Sequence, residues 1–247
     1  MKQPLFELCA ESLSAARAAQ AGGADRIELC VNLAVNGLTP TLEMMQAAIS
    51  ECSIPIHVLI RPRAGDFVYT EAEFKQMCEE VTAARQSGAA GIVTGVLLLD
   101  GRVDVARTAE LVVLARPMQV TFHKAMDAAR DLSEALEAVI ATGADCVLTS
   151  GGAADAEAGA PRIAALHRQA NGRIAIMAGG GLRLDNLLKI LECAEVNMLH
   201  GSLLRRRAEA DTGRANDLDA SESEELAQDI REVVKLMRES VAERTTR

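Results

Sequence analysis

A chain of 247 residues, 49% apolar and 25% charged, can bury a large core and fits one α/β domain spanning 1–247. A net charge of −9 and 2% aromatic residues leave neither the basic footprint nor the stacking platform of a nucleic-acid binder. No apolar run approaches the roughly 20 residues of a membrane-spanning helix, and the first residues hold no leader-like apolar stretch, so the expectation is a soluble, cytoplasmic protein with no membrane partner.

Apolar strands and periodic helical stretches alternate along the chain. The pattern predicts a strand over 5–10 and a helix over 12–21, then strand 26–31 and helix 41–51, strand 54–63 and helix 71–87, strand 91–98 and helix 104–115. The second half continues with strand 118–123 and helix 132–142, strand 146–150 and helix 161–170, strand 173–178 and helix 185–192, and strand 195–200. Residues 203–220 are polar and mixed in charge and read as a surface loop. A final helix over 222–243 carries one apolar stripe of Leu226, Ile230, Val233, Val234, Met237 and Val241. Asp131 with Glu134, and Ser221 with Glu224, have the spacing of a capping box.

The helix exits repeat. GGADRIEL (22–29), SGAAGIVT (87–94), TGADCVLT (142–149) and, more loosely, ECAEVNML (192–199) each join a helix stop to a short buried strand. The first three supply a glycine for the left-handed position that closes a helix. Eight βα units in 247 residues is about 31 residues per unit, and a closed parallel barrel takes roughly 250 residues in all. The expected fold is α/β, a (β/α)8 barrel of the TIM type. An open doubly wound sheet is the competitor, but no G-x-G-x-x-G follows the first strand.

Active sites of such barrels lie where the strands end, and these ends are polar. In IPIHVLIRPRAGDF (54–67), His57, Leu59, Arg61 and Arg63 alternate, so a continuing strand puts them on one face and gathers two guanidiniums at its C-terminal end. That arrangement suits an anion. Glu7, Glu28 and Asp127 are the candidate catalytic carboxylates; the two glutamates equally fit a structural network that neutralises Arg61 and Arg63. His123 is a candidate general acid or base, or a satisfied barrel-top histidine. Lys124 follows it directly, so alternation turns it away from the interior unless the strand has already ended, which argues against a Schiff-base role.

Gly179, Gly180 and Gly181, with Gly201, Ser202 and Ser150, are candidate anion-binding positions, because loops after the seventh and eighth strands often hold phosphate on backbone N–H groups. A tight strand-to-helix turn accounts for the same glycines. Cys9 and Cys30 hold equivalent places on neighbouring strands, about 4.8 Å apart, and two thiolates suit a soft ion such as Cu(I). They also fit as small buried hydrophobes, and neighbouring barrel strands stagger their layers. The remaining cysteines, Cys52, Cys78, Cys146 and Cys193, read as core, and the lack of C-x-x-C pairs fits reduced thiols in the cytosol.

GGADRIELC (22–30), GLTPT (37–41), IPIHVLIRPRAGDFVY (54–69), VTFHKAMD (120–127), VLTSGG (147–152) and MAGGGL (177–182) resemble, in this order, the CutC family of copper homeostasis proteins. The resemblance implies a β/α barrel, a cytoplasmic homo-oligomer (dimer or tetramer), a part in copper handling and Cu(I) bound through cysteines that match Cys9 and Cys30. The chain departs from the family pattern at Ala64, where a second glycine is usual, and at Lys124 and Met126, in place of arginine and phenylalanine. It departs again at Gly201-Ser202-Leu203 and through 205–220. Arginine to lysine removes a bidentate fork.

Three readings follow: a cytosolic protein of copper homeostasis that binds Cu(I), a barrel enzyme acting on a small phosphorylated or carboxylated metabolite, and a scaffold whose rim charges are structural. The second takes Arg61 and Arg63 as clamp, His123 as acid or base and the Gly179 loop as cradle.

Overall fold

Each apolar run after a helix stop becomes a short strand covered on both faces, as a parallel sheet requires. The computed structural model describes residues 4–203 and 217–246. Its strands are β1 (Leu5–Ala10), β2 (Arg26–Leu29), β3 (Ile56–Leu59), β4 (Gly91–Thr94), β5 (Gln119–Phe122), β6 (Cys146–Thr149), β7 (Ala175–Gly179) and β8 (Met198–Gly201). They pair in parallel and in chain order, and β8 closes on β1. The helices outside are α1 (Leu13–Gly22), α2 (Leu42–Glu51), α3 (Glu71–Gln86), α4 (Val105–Ala115), α5 (Leu132–Thr142), α6 (Ala156–Ala170), α7 (Leu187–Ala194) and α8 (Ala220–Thr246). The fold is the closed (β/α)8 barrel, and the open sheet is excluded.

Local chemistry sets the helix ends. Ser12, Thr41, Thr70, Asp104, Asp131 and Asp155 each accept a backbone N–H of the first turn, and Thr70 with Glu73 forms a full capping box. The box expected at Ser221 and Glu224 is instead made two residues earlier, where Asp219 and Glu222 bond each other's backbone N–H. Gly23, Gly88 and Gly143 all have positive φ, as the repeated exits require; the fourth exit puts Glu195 there, at φ 56°. Helix α6 begins five residues before the expected 161, because Asp155 caps the segment and Pro161 is accommodated inside it. Most of the expected loop, residues 204–216, lies outside the described residues.

The strands are shorter than the apolar runs. The β3 ladder stops at Leu59; Arg61 then exchanges hydrogen bonds with Thr39 in the loop before α2, through its N–H to Oγ1 and its carbonyl from the Thr39 N–H. Helix α8 buries Leu226, Ile230, Val233, Val234 and Met237, the expected stripe apart from Val241, whose side chain lies outside the described set. It packs on α1 across Gly22, where an added Cβ would stand 2.6 Å from Ile230.

The main apolar core lies between sheet and helices, around Phe6, Leu8, Ile27, Leu29, Ile60 and Phe122. The barrel interior differs: it holds two small apolar clusters, Cys9, Cys30, Leu59 and Val93, and Cys146, Leu148 and Met177. It also holds a polar group of Glu7, Arg26, His57 and His200. Gly91 leaves room for the His57 ring, which would stand 2.5 Å from a Cβ at that position.

Candidate site at the barrel mouth

The C-terminal ends of the strands open into a cavity of about 1010 Å³, within the range of small-molecule sites. Beneath it, the Glu7 carboxylate accepts from Arg26 Nε and, at 2.8 Å, from His200 Nδ1. Burial alone would raise this carboxyl, but the Arg26 guanidinium and His200 outweigh it and hold the pKa down to about 2. Glu7 is therefore a fixed anion with both partners engaged, and it does not reach the cavity wall. Burial works against the His200 imidazolium, yet the Glu28 carboxylate, the Cys9 sulfur and Glu7 raise its pKa well above the usual value.

Glu28 does line the cavity. Its Oε1 accepts from the Cys9 thiol at 3.4 Å, its Oε2 is buried without a partner, and burial pushes its pKa up. The Cys9 and Cys30 sulfurs are 3.6 Å apart, although the β1–β2 register places Cys9 opposite Glu28 rather than Cys30. Cys9 forms part of the cavity floor and Cys30 lies fully buried beside it. The Cys30 contact, burial and the Cys30 and Glu28 charges hold the Cys9 thiol well above its ordinary pKa.

Arg61 and Arg63 do not act together. Arg61 is buried and donates through Nη1 to the Val35 and Gly37 carbonyls at 2.7 and 2.8 Å, and through Nη2 to the Gly65 carbonyl at 3.0 Å. Its Nε is buried and unpartnered, and the residue lines the cavity. Arg63 points outward, paired with Glu73 at 2.6 Å and Asp66 at 2.8 Å, with Tyr69 beneath its guanidinium. The expected shared face fails because the strand ends at Leu59 and Pro62 follows. The paired-network reading of the glutamates fails in its partners too: Glu7 neutralises Arg26, not Arg61 or Arg63.

His123 begins the 3-10 turn Lys124–Ala128, its Nδ1 accepting the Ala125 N–H at 3.2 Å. Burial and the nearby Arg61 charge lower its pKa to about 3, so the ring is neutral and its Nε2 carries the proton. That Nε2 is buried and unpartnered, and the residue lines the cavity. Because β5 ends at Phe122, the alternation that would have turned Lys124 outward no longer applies, and Lys124 lines the cavity. Asp127 is engaged elsewhere. It accepts from the Thr149 hydroxyl and from the Ser150 and Gly152 N–H groups, which fixes the start of the turn after β6, and it does not line the cavity itself. Ser150 Oγ donates to the Ala153 carbonyl at 2.9 Å.

Of the glycine run, Gly180 and Gly181 border the cavity, whereas Gly179 is packed between Leu148 and His200. Gly201 and Ser202 also line it. Sequence analysis gave no role to His200, at the end of the eighth expected strand, or to Phe67. The signal for His200 was its position opposite Glu7 in the β1–β8 register. Phe67, stacked between Arg61 and the His123 ring, follows the strand and gives no periodic signal.

A family model described as CutC family matches residues 4–205. The chain belongs to the CutC family. A CutC family protein of Chromobacterium violaceum is 46% identical over 198 residues, 80% of both chains, and one of Porphyromonas gingivalis is 40% identical over 241 residues, 94% of this chain and 97% of that one. A crystal structure described as a candidate copper homeostasis protein CutC of Streptococcus agalactiae superposes with a TM-score of 0.76 at 31% identity, over 81% of this chain and 99% of that one. Among the described residues no helix is long and apolar enough to cross a membrane.

Two donor sets at the mouth of this CutC barrel have the proximity that a metal ion needs: Cys9, Glu28 and Cys30, and Glu7, Glu28 and His200, each with ligand atoms within 4.8 Å. The second is already committed to the Glu7–Arg26–His200 pairing. The first has two sulfurs 3.6 Å apart, which fit a soft cation.

Proposed function

We propose that this CutC-family chain takes part in copper handling in the cytoplasm by carrying Cu(I) between Cys9 and Cys30 at the floor of the barrel mouth. The observation that supports this most is the 3.6 Å separation of the two sulfurs within an apolar patch of Leu33, Leu59 and Val93, since Cu(I) prefers thiolates in soft surroundings. Both thiols are free despite this closeness, as suits a reducing compartment. The name of the Streptococcus agalactiae relative points the same way. Because the Cys9 thiol is held protonated, loading Cu(I) releases protons and affinity rises with pH.

The test is an anaerobic Cu(I) titration against a chromophoric competitor. The wild-type chain takes up the ion stoichiometrically, and the Cys9→Ser/Cys30→Ser variant does not. Equal uptake by the double variant removes this pair as ligands.

A further inference from the structure

The buried donors on the other side of the cavity are unexplained by copper. Arg61 and His123 both line the cavity, and the Nε of one and the Nε2 of the other are buried without an acceptor. Buried N–H groups are almost always satisfied, so two orphans on residues that line one cavity point to an acceptor that binds there. Lys124 adds an ammonium that makes no ion pair or hydrogen bond among the described residues, and it lies over Gly180, where an added Cβ would stand 3.4 Å from Nζ. Gly180 has φ +111°, a conformation closed to other residues, so the backbone there stays bare beneath the lysine. Arg183, the other lining arginine, is already held by Asp185 at 3.1 Å and is not part of this group.

We propose that the barrel mouth binds the anionic head of a small metabolite, a phosphate or a carboxylate, between Arg61, His123 and Lys124 beside the Gly180 turn. The donor count fits an oxyanion, and the rigid N–H groups are pre-set by bonds elsewhere in the same side chains: Arg61 by three loop carbonyls, His123 by the Ala125 N–H. Glu28 Oε2 supplies one acceptor to the same space, which fits a hydroxyl on the metabolite's body. None of the three donors belongs to the Cys9–Cys30 cluster, so this site stands whether or not copper binds.

The experiment is calorimetry of the full chain with inorganic phosphate, glycerol 3-phosphate and malonate. At least one binds saturably; phosphates alone assign a phosphate head, and malonate alone a carboxylate. Lys124→Met, which keeps the aliphatic stem, weakens that binding about tenfold or more. His123→Asn does the same while its side-chain oxygen still accepts from Ala125. Arg63→Ala, outside the cavity, leaves it unchanged. Failure of all three probes to saturate overturns the proposal, as does wild-type affinity in Lys124→Met.

Discussion

The ion pair beneath the cavity yields a quantitative prediction. Glu7→Gln keeps the shape of the side chain and removes its charge, leaving the Arg26 guanidinium without its paired anion and His200 with a neutral acceptor at best. Removing one member of a buried pair costs about 3 to 5 kcal/mol. The pKa gives an independent figure: a drop from 4.5 to about 2, at roughly 1.4 kcal/mol per pH unit, is worth about 3 kcal/mol to the folded state. Because the folded value lies below the unfolded one, this contribution is complete above pH 4.5 and is lost as pH falls toward 2. Urea unfolding near neutral pH should therefore show Glu7→Gln destabilised by about 3 kcal/mol or more. In a pH series its stability lacks the decline that the Glu7 carboxylate gives the wild type between 4.5 and 2. Glu28→Gln is the control: burial pushes that carboxyl upward, so a neutral amide costs less. A Glu7→Gln loss below about 1 kcal/mol, the size of a surface pair, would refute the argument.

The histidines should separate by NMR titration between about pH 5 and pH 8. His57, lowered to about 4 by burial and Arg26, and His123, lowered to about 3, keep neutral-ring shifts, while His200 keeps imidazolium shifts above the usual range. Their stability contributions run in opposite directions: those of His57 and His123 are complete above 6.5 and fall with acid, and that of His200 is complete below 6.5 and fades as pH rises through its folded value. Thiol alkylation followed by mass spectrometry should modify the exposed Cys193 first. Cys9, buried and raised, and Cys146, pushed up to about 12 mainly by burial, wait for unfolding. Labelling of Cys9 as fast as Cys193 would mean that the cavity floor is open.

The barrel was legible because its repeated unit carries two signals at once, a glycine exit and an apolar run, and all eight runs became strands. What the sequence could not show is where each ladder stops. Apolar residues past the last rung, such as Ile60, Val96 and Leu97, remain buried in the rim loops and look the same as strand residues. Two site residues turn on that uncertainty: Arg63 was assigned a face that ended at Leu59, and the orientation of Lys124 was left to whether the strand had ended before it, as it has, at Phe122. Cys193 is the same kind of error on a helix, expected in the core and found exposed, because α7 runs two residues beyond its expected end. Asp127 fails for another reason. A carboxylate that accepts from the Thr149 hydroxyl and two backbone N–H groups of the β6 turn has the sequence appearance of a catalytic one, and only the fold shows that its lone pairs are spent.

The stagger of the barrel resolves the conflict between a copper role and an arginine-bearing rim. Were Cys9 level with Cys30, Glu28 would sit one layer below both; instead Cys9 is level with Glu28, and Cys30 reaches back from just beyond β2 to contact it. This gathers the soft donors over β1 and β2 against Leu59 and Val93, while Arg61, His123 and Lys124 arise from the loops after β3 and β5. Hard and soft groups thus occupy different sectors of one cavity. Glu28 borders both sectors, with one oxygen toward the Cys9 thiol and the other unpartnered.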